Sequence, residues 1–178
     1  MNVIFGLLCL LLSATKVAEI SGHVEFTNIK CEPLDKSFAD FEYCYIKAIN
    51  RSYKYVSLKV NLFKIPVTKV KVNFALMKRF NGYRPFLYNI TVDACKFLEN
   101  PNRNPIAHYL SDLFLPYTNM AHKCPFNHSL MMDKLPIDYV NYQVTNVLPF
   151  PTGDYAAYTS WMAYDINRAN LKLFFTLS

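Results

Sequence analysis

Four glycines in 178 residues leave almost no material for a phosphate-cradling loop, and neither GxSxG nor HExxH occurs. No CxxC pair and no zinc-ligand spacing are present, so no metal site is expected. Histidines are few and scattered at His23, His108, His122 and His128. The His122-Lys123-Cys124 run with His128 comes nearest to a metal or thiol site, but an oxidised Cys124 would remove its thiolate. The 13 acidic residues are dispersed apart from Asp35, Asp40 and Glu42, which read as a solvated turn. No enzyme activity and no cofactor are therefore expected. Charge is sparse at 18%, against 52% hydrophobic residues, the reverse of a disordered composition. Self-similarity at a period of about 20–50 residues is absent, which excludes a solenoid. Abundant aromatic and β-branched residues argue against a coiled coil.

What is present begins with Val3–Leu12, VIFGLLCLLL, an apolar run too short to span a bilayer and shaped like the core of a secretory signal peptide. Residues 1–18 are expected to be removed, with cleavage between 14 and 22. Residues 19–178 then form one domain with no transmembrane segment, secreted and extracellular. Three glycosylation sequons start at Asn50, Asn89 and Asn127, each with a residue other than proline in the middle. Cys9 leaves with the leader, and Cys31, Cys44, Cys95 and Cys124 remain as an even set. Of three pairings, Cys31–Cys44 and Cys95–Cys124 join neighbours in loops of about 14 and 30 residues, worth ~3–4 kcal/mol each.

The dominant period is two. Val56, Leu58, Val60 and Leu62; then Val70, Val72, Phe74 and Leu76; then Phe86, Tyr88, Ile90 and Val92 alternate with mostly polar residues. They read as three consecutive antiparallel strands broken by Pro66 and turned at Asn81-Gly82. Further strands are expected at Val24–Cys31, Phe41–Ile49, Gln143–Leu148, Tyr155–Tyr164 and Leu171–Leu177. One short helix is expected after Asn104 as N-cap and Pro105 as first residue, with Ile106, Tyr109, Leu110, Leu113 and Phe114 on its apolar stripe and Pro116 as its stop. About eight strands with one helix make a mainly β, antiparallel β-sandwich of immunoglobulin-like type.

Net charge is +6. Lys59, Lys69 and Lys71 are expected on an outward sheet face, suited to an acidic or anionic partner rather than to nucleic acid in an exported protein. The large rings are more telling: 14 Phe and 13 Tyr, heavily placed in the strands. Two sheets about 10 Å apart can be filled solid by such side chains, or can splay around an apolar cavity. From the residues alone, solid packing is favoured.

The segments VEFTNIKC (Val24–Cys31), FEYCYIKAINRSYKYVSLKVNL (Phe41–Leu62), RPFLYNITVDACKFL (Arg84–Leu98), NPIAHYL (Asn104–Leu110) and GDYAAYTSWMAYDINRANLKLFF (Gly153–Phe175), with CPF and LP between them, change that balance. In this order they resemble an insect-expanded family of small secreted proteins of unknown function, itself similar to chemosensory and ganglioside-activator-like proteins of the ML lipid-recognition type. The resemblance implies a sandwich that opens to hold lipid, matches the four cysteine positions, and transfers no catalytic residue. ML lipid binders often tether the first strand to the C-terminal region by a disulfide; here no cysteine follows Cys124. The expected function is binding of a hydrophobic small molecule or lipid, in a chemosensory setting. Inward parity and ring size nominate Phe74, Leu76, Phe86, Tyr88, Ile90, Trp161, Leu173 and Phe175 as the lining. The alternative is a solid-core extracellular protein whose surface meets a cell-surface receptor or matrix partner. A void below about 100 Å³ would favour that alternative, since ligand pockets are several-fold larger.

Overall fold

The computed structural model describes residues 22–147 and 149–178, so the Val3–Leu12 leader lies outside the described residues. Eight strands are present: β1 (Val24–Pro33), β2 (Ala39–Ala48), β3 (Lys54–Leu62), β4 (Val70–Phe80), β5 (Gly82–Asp93), β6 (Leu130–Pro136), β7 (Gly153–Ala163) and β8 (Ile166–Leu177). They form a five-stranded sheet in the order β1-β8-β7-β4-β5 and a three-stranded sheet in the order β2-β3-β6. Every pairing is antiparallel. The two-sheet β-sandwich expected from the period-two pattern is thus the architecture found.

Three consecutive strands in one sheet were not the outcome. β4 and β5 form the hairpin turned at Asn81-Gly82, but β3 belongs to the opposite sheet. The segment containing Pro66, which has no amide hydrogen to give a ladder, crosses between the layers. Gln143–Val147 is also not a strand: it is a π-helical turn continuing helix α3 (Ile137–Tyr142). Ile137, Val140 and Val144, all buried, are spaced for a helix face. Strand β6 escapes the period-two reading because Lys134 takes a positive φ and the register against β3 shifts there, so the apolar positions run 130, 132, 135.

Helices α1 (Ala94–Glu99) and α2 (Pro105–Asp112) lie in the connection from β5 to β6, so the described residues carry three short helices rather than one. Asp93 caps α1 by accepting from the Lys96 amide at 3.1 Å. Asn104 caps α2 by accepting from the Ala107 amide at 3.1 Å, with Pro105 at the first position as its sequence implied. α2 ends earlier than Pro116, and its buried face is Ala107, Leu110 and Ser111, while Ile106 is exposed.

Two disulfides tie these parts together. Cys31–Cys44 joins β1 to β2, the neighbouring edges of the two sheets, and Cys95–Cys124 ties the start of α1 to the loop before β6. The pairing is the neighbour-to-neighbour one expected. The core divides into two clusters. Val24, Phe26, Val56, Ile137, Val144 and Tyr155, each 2% exposed or less, pack one end solidly. Phe38, Ala39, Val67, Met120, Phe126 and Ala163 close the other.

Candidate functional site

Between the two core clusters lies a cavity of about 290 Å³. Its walls follow from strand parity. Leu58, Val60 and Leu62 of β3 and Leu130, Met132 and Leu135 of β6 face Val70, Val72, Phe74 and Leu76 of β4, Ile90 and Val92 of β5, and Ala157, Thr159 and Trp161 of β7. Leu171, Leu173 and Phe175 of β8 complete the five-stranded side. The helical connection supplies Phe97, Leu98, Ala107 and Leu110, and so forms a wall where the β5 and β6 edges do not pair. Disulfide-joined edges on one side and a helical insert on the other define a space that sheet packing alone would close.

Polar groups are nearly absent from the lining. Among the described residues only Ser111, Thr159 and Arg168 interrupt an otherwise apolar wall. The Ser111 hydroxyl donates to the His108 carbonyl at 2.8 Å, and Thr159 accepts from the Trp161 indole N–H at 2.8 Å. Both hydroxyls, and the indole donor, are therefore engaged within the protein. Arg168 is a bulge residue on β8, where the register against β7 shifts between Trp161 and Met162. Its Nη1 donates to the Asp35 carboxylate, and its guanidinium carbon lies 4.4 Å from the Phe38 ring centre. Hydrogen bonding from Ser37, with Arg168 adding, holds the Asp35 carboxyl below its ordinary range.

Of the eight nominated residues, Phe74, Leu76, Ile90, Trp161, Leu173 and Phe175 line the cavity, and Phe86 and Tyr88 do not. The register between Ala75 and Met77 spans two extra residues of β5, with Leu87 at φ 61°. Two extra residues preserve parity but bend the strand away. Phe86 packs instead on Tyr155, 5.8 Å between ring centres, with the Lys78 ammonium 5.3 Å from its own ring. Tyr88 lies near Tyr109, whose hydroxyl burial pushes up to about 12 and which donates to the Gln143 carbonyl at 3.2 Å. The helical walls and β6 were missed. An Asp93 cap before Ala94, and the helical spacing of Val140 and Val144, were the available signals.

The expected basic face is also different. Lys59 pairs with Glu42 at 2.8 Å on the smaller sheet, whereas Lys69 and Lys71 both pair with Asp165 beside the larger one. Glu42 offsets Lys59, Asp165 is shared by Lys69 and Lys71, and the two groups sit on different sheets, so the three lysines do not make one cationic surface. His122 and His128 do meet, Nε2 to Nε2 at 2.8 Å, but Cys124 beside them is disulfide-bonded. Among the described residues no group of three or more His, Cys, Asp or Glu could hold a metal ion. No helix among them is long and apolar enough to cross a membrane.

A family model described as "Protein of unknown function (DUF1091)" matches residues 72–157, from β4 through the helical connection and β6 into β7. The family resemblance drawn from the sequence segments is borne out over that stretch. Among solved structures, the chain is similar to a Niemann-Pick type C2 protein from Japanese carpenter ant. The two share 16% identity, the alignment covers 85% of this chain and 90% of that one, and the TM-score is 0.31. No curated protein matches the sequence.

Proposed function

We propose that this protein is a secreted carrier that holds a hydrophobic small molecule or lipid tail between its sheets. The observation that carries the reading is the 290 Å³ apolar cavity, which lies well above the size expected of a solid core. A void of roughly 150 Å³ holds one benzene, so this one takes about a dozen carbon atoms. Burying about a dozen methylenes at ~0.8 kcal/mol each gives about 10 kcal/mol, from which at least ~4 kcal/mol of lost translational and rotational freedom is subtracted. An affinity of about tens of micromolar is the upper limit that follows.

Exposure of Asn50, Asn89 and Asn127 is compatible with glycans at all three sequons and with an extracellular setting. A chemosensory role would consist of delivering such a molecule to a cell-surface receptor. Trp161, the single tryptophan, lines the cavity and reports on its contents. Native mass spectrometry of protein purified without detergent should recover an apolar guest, and titration with medium-chain lipids should change Trp161 emission. Protein that is guest-free in every preparation, with unchanged emission on titration, would refute the carrier reading and leave the surface-recognition alternative.

A further inference from the structure

His122 and His128 stand outside the cavity, on the loop that leads into β6, with their Nε2 atoms 2.8 Å apart. Each ring turns its other nitrogen onto the carbonyl of the residue that follows it. His122 Nδ1 lies 2.7 Å from the Lys123 oxygen, and His128 Nδ1 lies 2.9 Å from the Ser129 oxygen. A carbonyl oxygen only accepts, so each Nδ1 carries a proton, and a neutral imidazole has just one. The Asn119 Nδ2, 3.2 Å from His128 Nδ1, does not reverse this assignment. It donates to the same Ser129 oxygen at 2.8 Å, and two donors converging on one acceptor lie close to each other. Both Nε2 atoms are thus acceptors, and two lone pairs facing each other at this distance call for a cation between them.

We infer that the His122–His128 pair is a binding site for a divalent copper ion. Nitrogen–metal bonds run about 2.0 Å, so nitrogens 2.8 Å apart subtend about 90° at a shared ion, whereas tetrahedral ligation sets them about 3.3 Å apart. A right angle belongs to neighbouring ligands of a square-planar or tetragonal site, the geometry of Cu(II) rather than of zinc, and copper also heads the affinity order. Donation from the second ring nitrogen to a backbone carbonyl is the usual support of a metal-bound histidine. The pair is preset by its surroundings. Cys124 is bridged to Cys95, and Phe126 exchanges two backbone hydrogen bonds with Val67 while setting its buried ring 5.1 Å from that of His122. Asn119 holds the far side through the Ser129 carbonyl and the Met131 amide. His122 is exposed, so the remaining positions in the plane fall to water. This site does not depend on the carrier reading.

The test adds CuCl2 to the intact disulfide-bonded protein and to His122→Ala and His128→Ala, the second of which keeps the Asn127 sequon. Calorimetric titration should give a single copper per parent chain. Each substitution should weaken binding at least about tenfold, because the second imidazole closes on an ion already beside it. Electron paramagnetic resonance of the parent complex should show a tetragonal spectrum with a pair of equatorial nitrogens. In the copper-free parent, nitrogen NMR should show the Nδ1–H form on both rings. Parent-level binding by either variant places the ion elsewhere, at His23 or His108, and overturns the site. An Nε2–H signal on either ring also overturns it, because the contact between the rings is then an ordinary hydrogen bond. A parent that takes up no copper leaves the pair sharing a proton and overturns the inference as well.

Discussion

Replacing Ala157 with phenylalanine separates a hollow sandwich from a solid one by the signs of two effects. Ala157 sits mid-strand on β7, paired with Leu76 and Leu173, and all three line the cavity. A phenyl ring there needs about the space of one benzene, roughly half of the 290 Å³. A guest deprived of about six carbons of burial loses about 5 kcal/mol, or between three and four orders of magnitude in affinity. Stability moves the other way. Filling ~150 Å³ of void returns up to about 3.5 kcal/mol at ~24 cal/mol per Å³, reduced by ~1–3 kcal/mol of packing strain. At about 2–4 °C per kcal/mol for a chain of this size, Tm should stay level or rise by several degrees. Calorimetry of Ala157→Phe beside a Trp161 titration measures both. Undiminished ligand affinity, or a Tm lowered by the several degrees that overpacking a filled core would cause, would refute the reasoning.

The two ends of the core should respond unequally to truncation. Ile137, 2% exposed and not part of the cavity wall, should cost about 2–5 kcal/mol as Ile137→Ala, whereas Phe74→Ala, at the cavity wall, should cost less than the ~3–5 kcal/mol of a fully packed phenylalanine; urea midpoints compare them. Lys69 and Lys71 hydrogen-bond Asp165 and hold its carboxyl at about 2. A depressed carboxyl stabilises the fold above its unfolded range and loses that contribution as pH falls toward 2. Asp165→Asn should therefore unfold at lower urea than the parent at pH 6, with the two midpoints converging by about pH 2. Replacing Cys95 and Cys124 together by serine should lower stability by ~3–4 kcal/mol, from a closed loop of about 30 residues. The measurement is denaturant unfolding under non-reducing conditions, with the Cys31–Cys44 bridge intact.

Side-chain alternation by itself determined seven of the strands, because a residue's face in a sheet depends only on whether its position is odd or even along the strand. The same local rule made Leu76, Ile90, Leu173 and Phe175 inward, and local backbone chemistry placed Asn104 and Pro105 at a helix start. Parity alone was not enough where the backbone added residues. The two extra residues around Leu87 carried Phe86 and Tyr88 off the cavity, and the positive φ at Lys134 hid β6. Which layer a strand joined was also beyond local pattern, since β3 and β4 alternate alike yet face each other across the cavity. The separation of the sheets was a tertiary decision. The same apolar faces would meet if the edges closed, and only the helical wall between β5 and β6, opposite the Cys31–Cys44 edge, leaves room for a guest. Arg168 reaches that space for the same reason: a bulge on β8 turns a charged side chain toward an interior that alternation would have kept apolar.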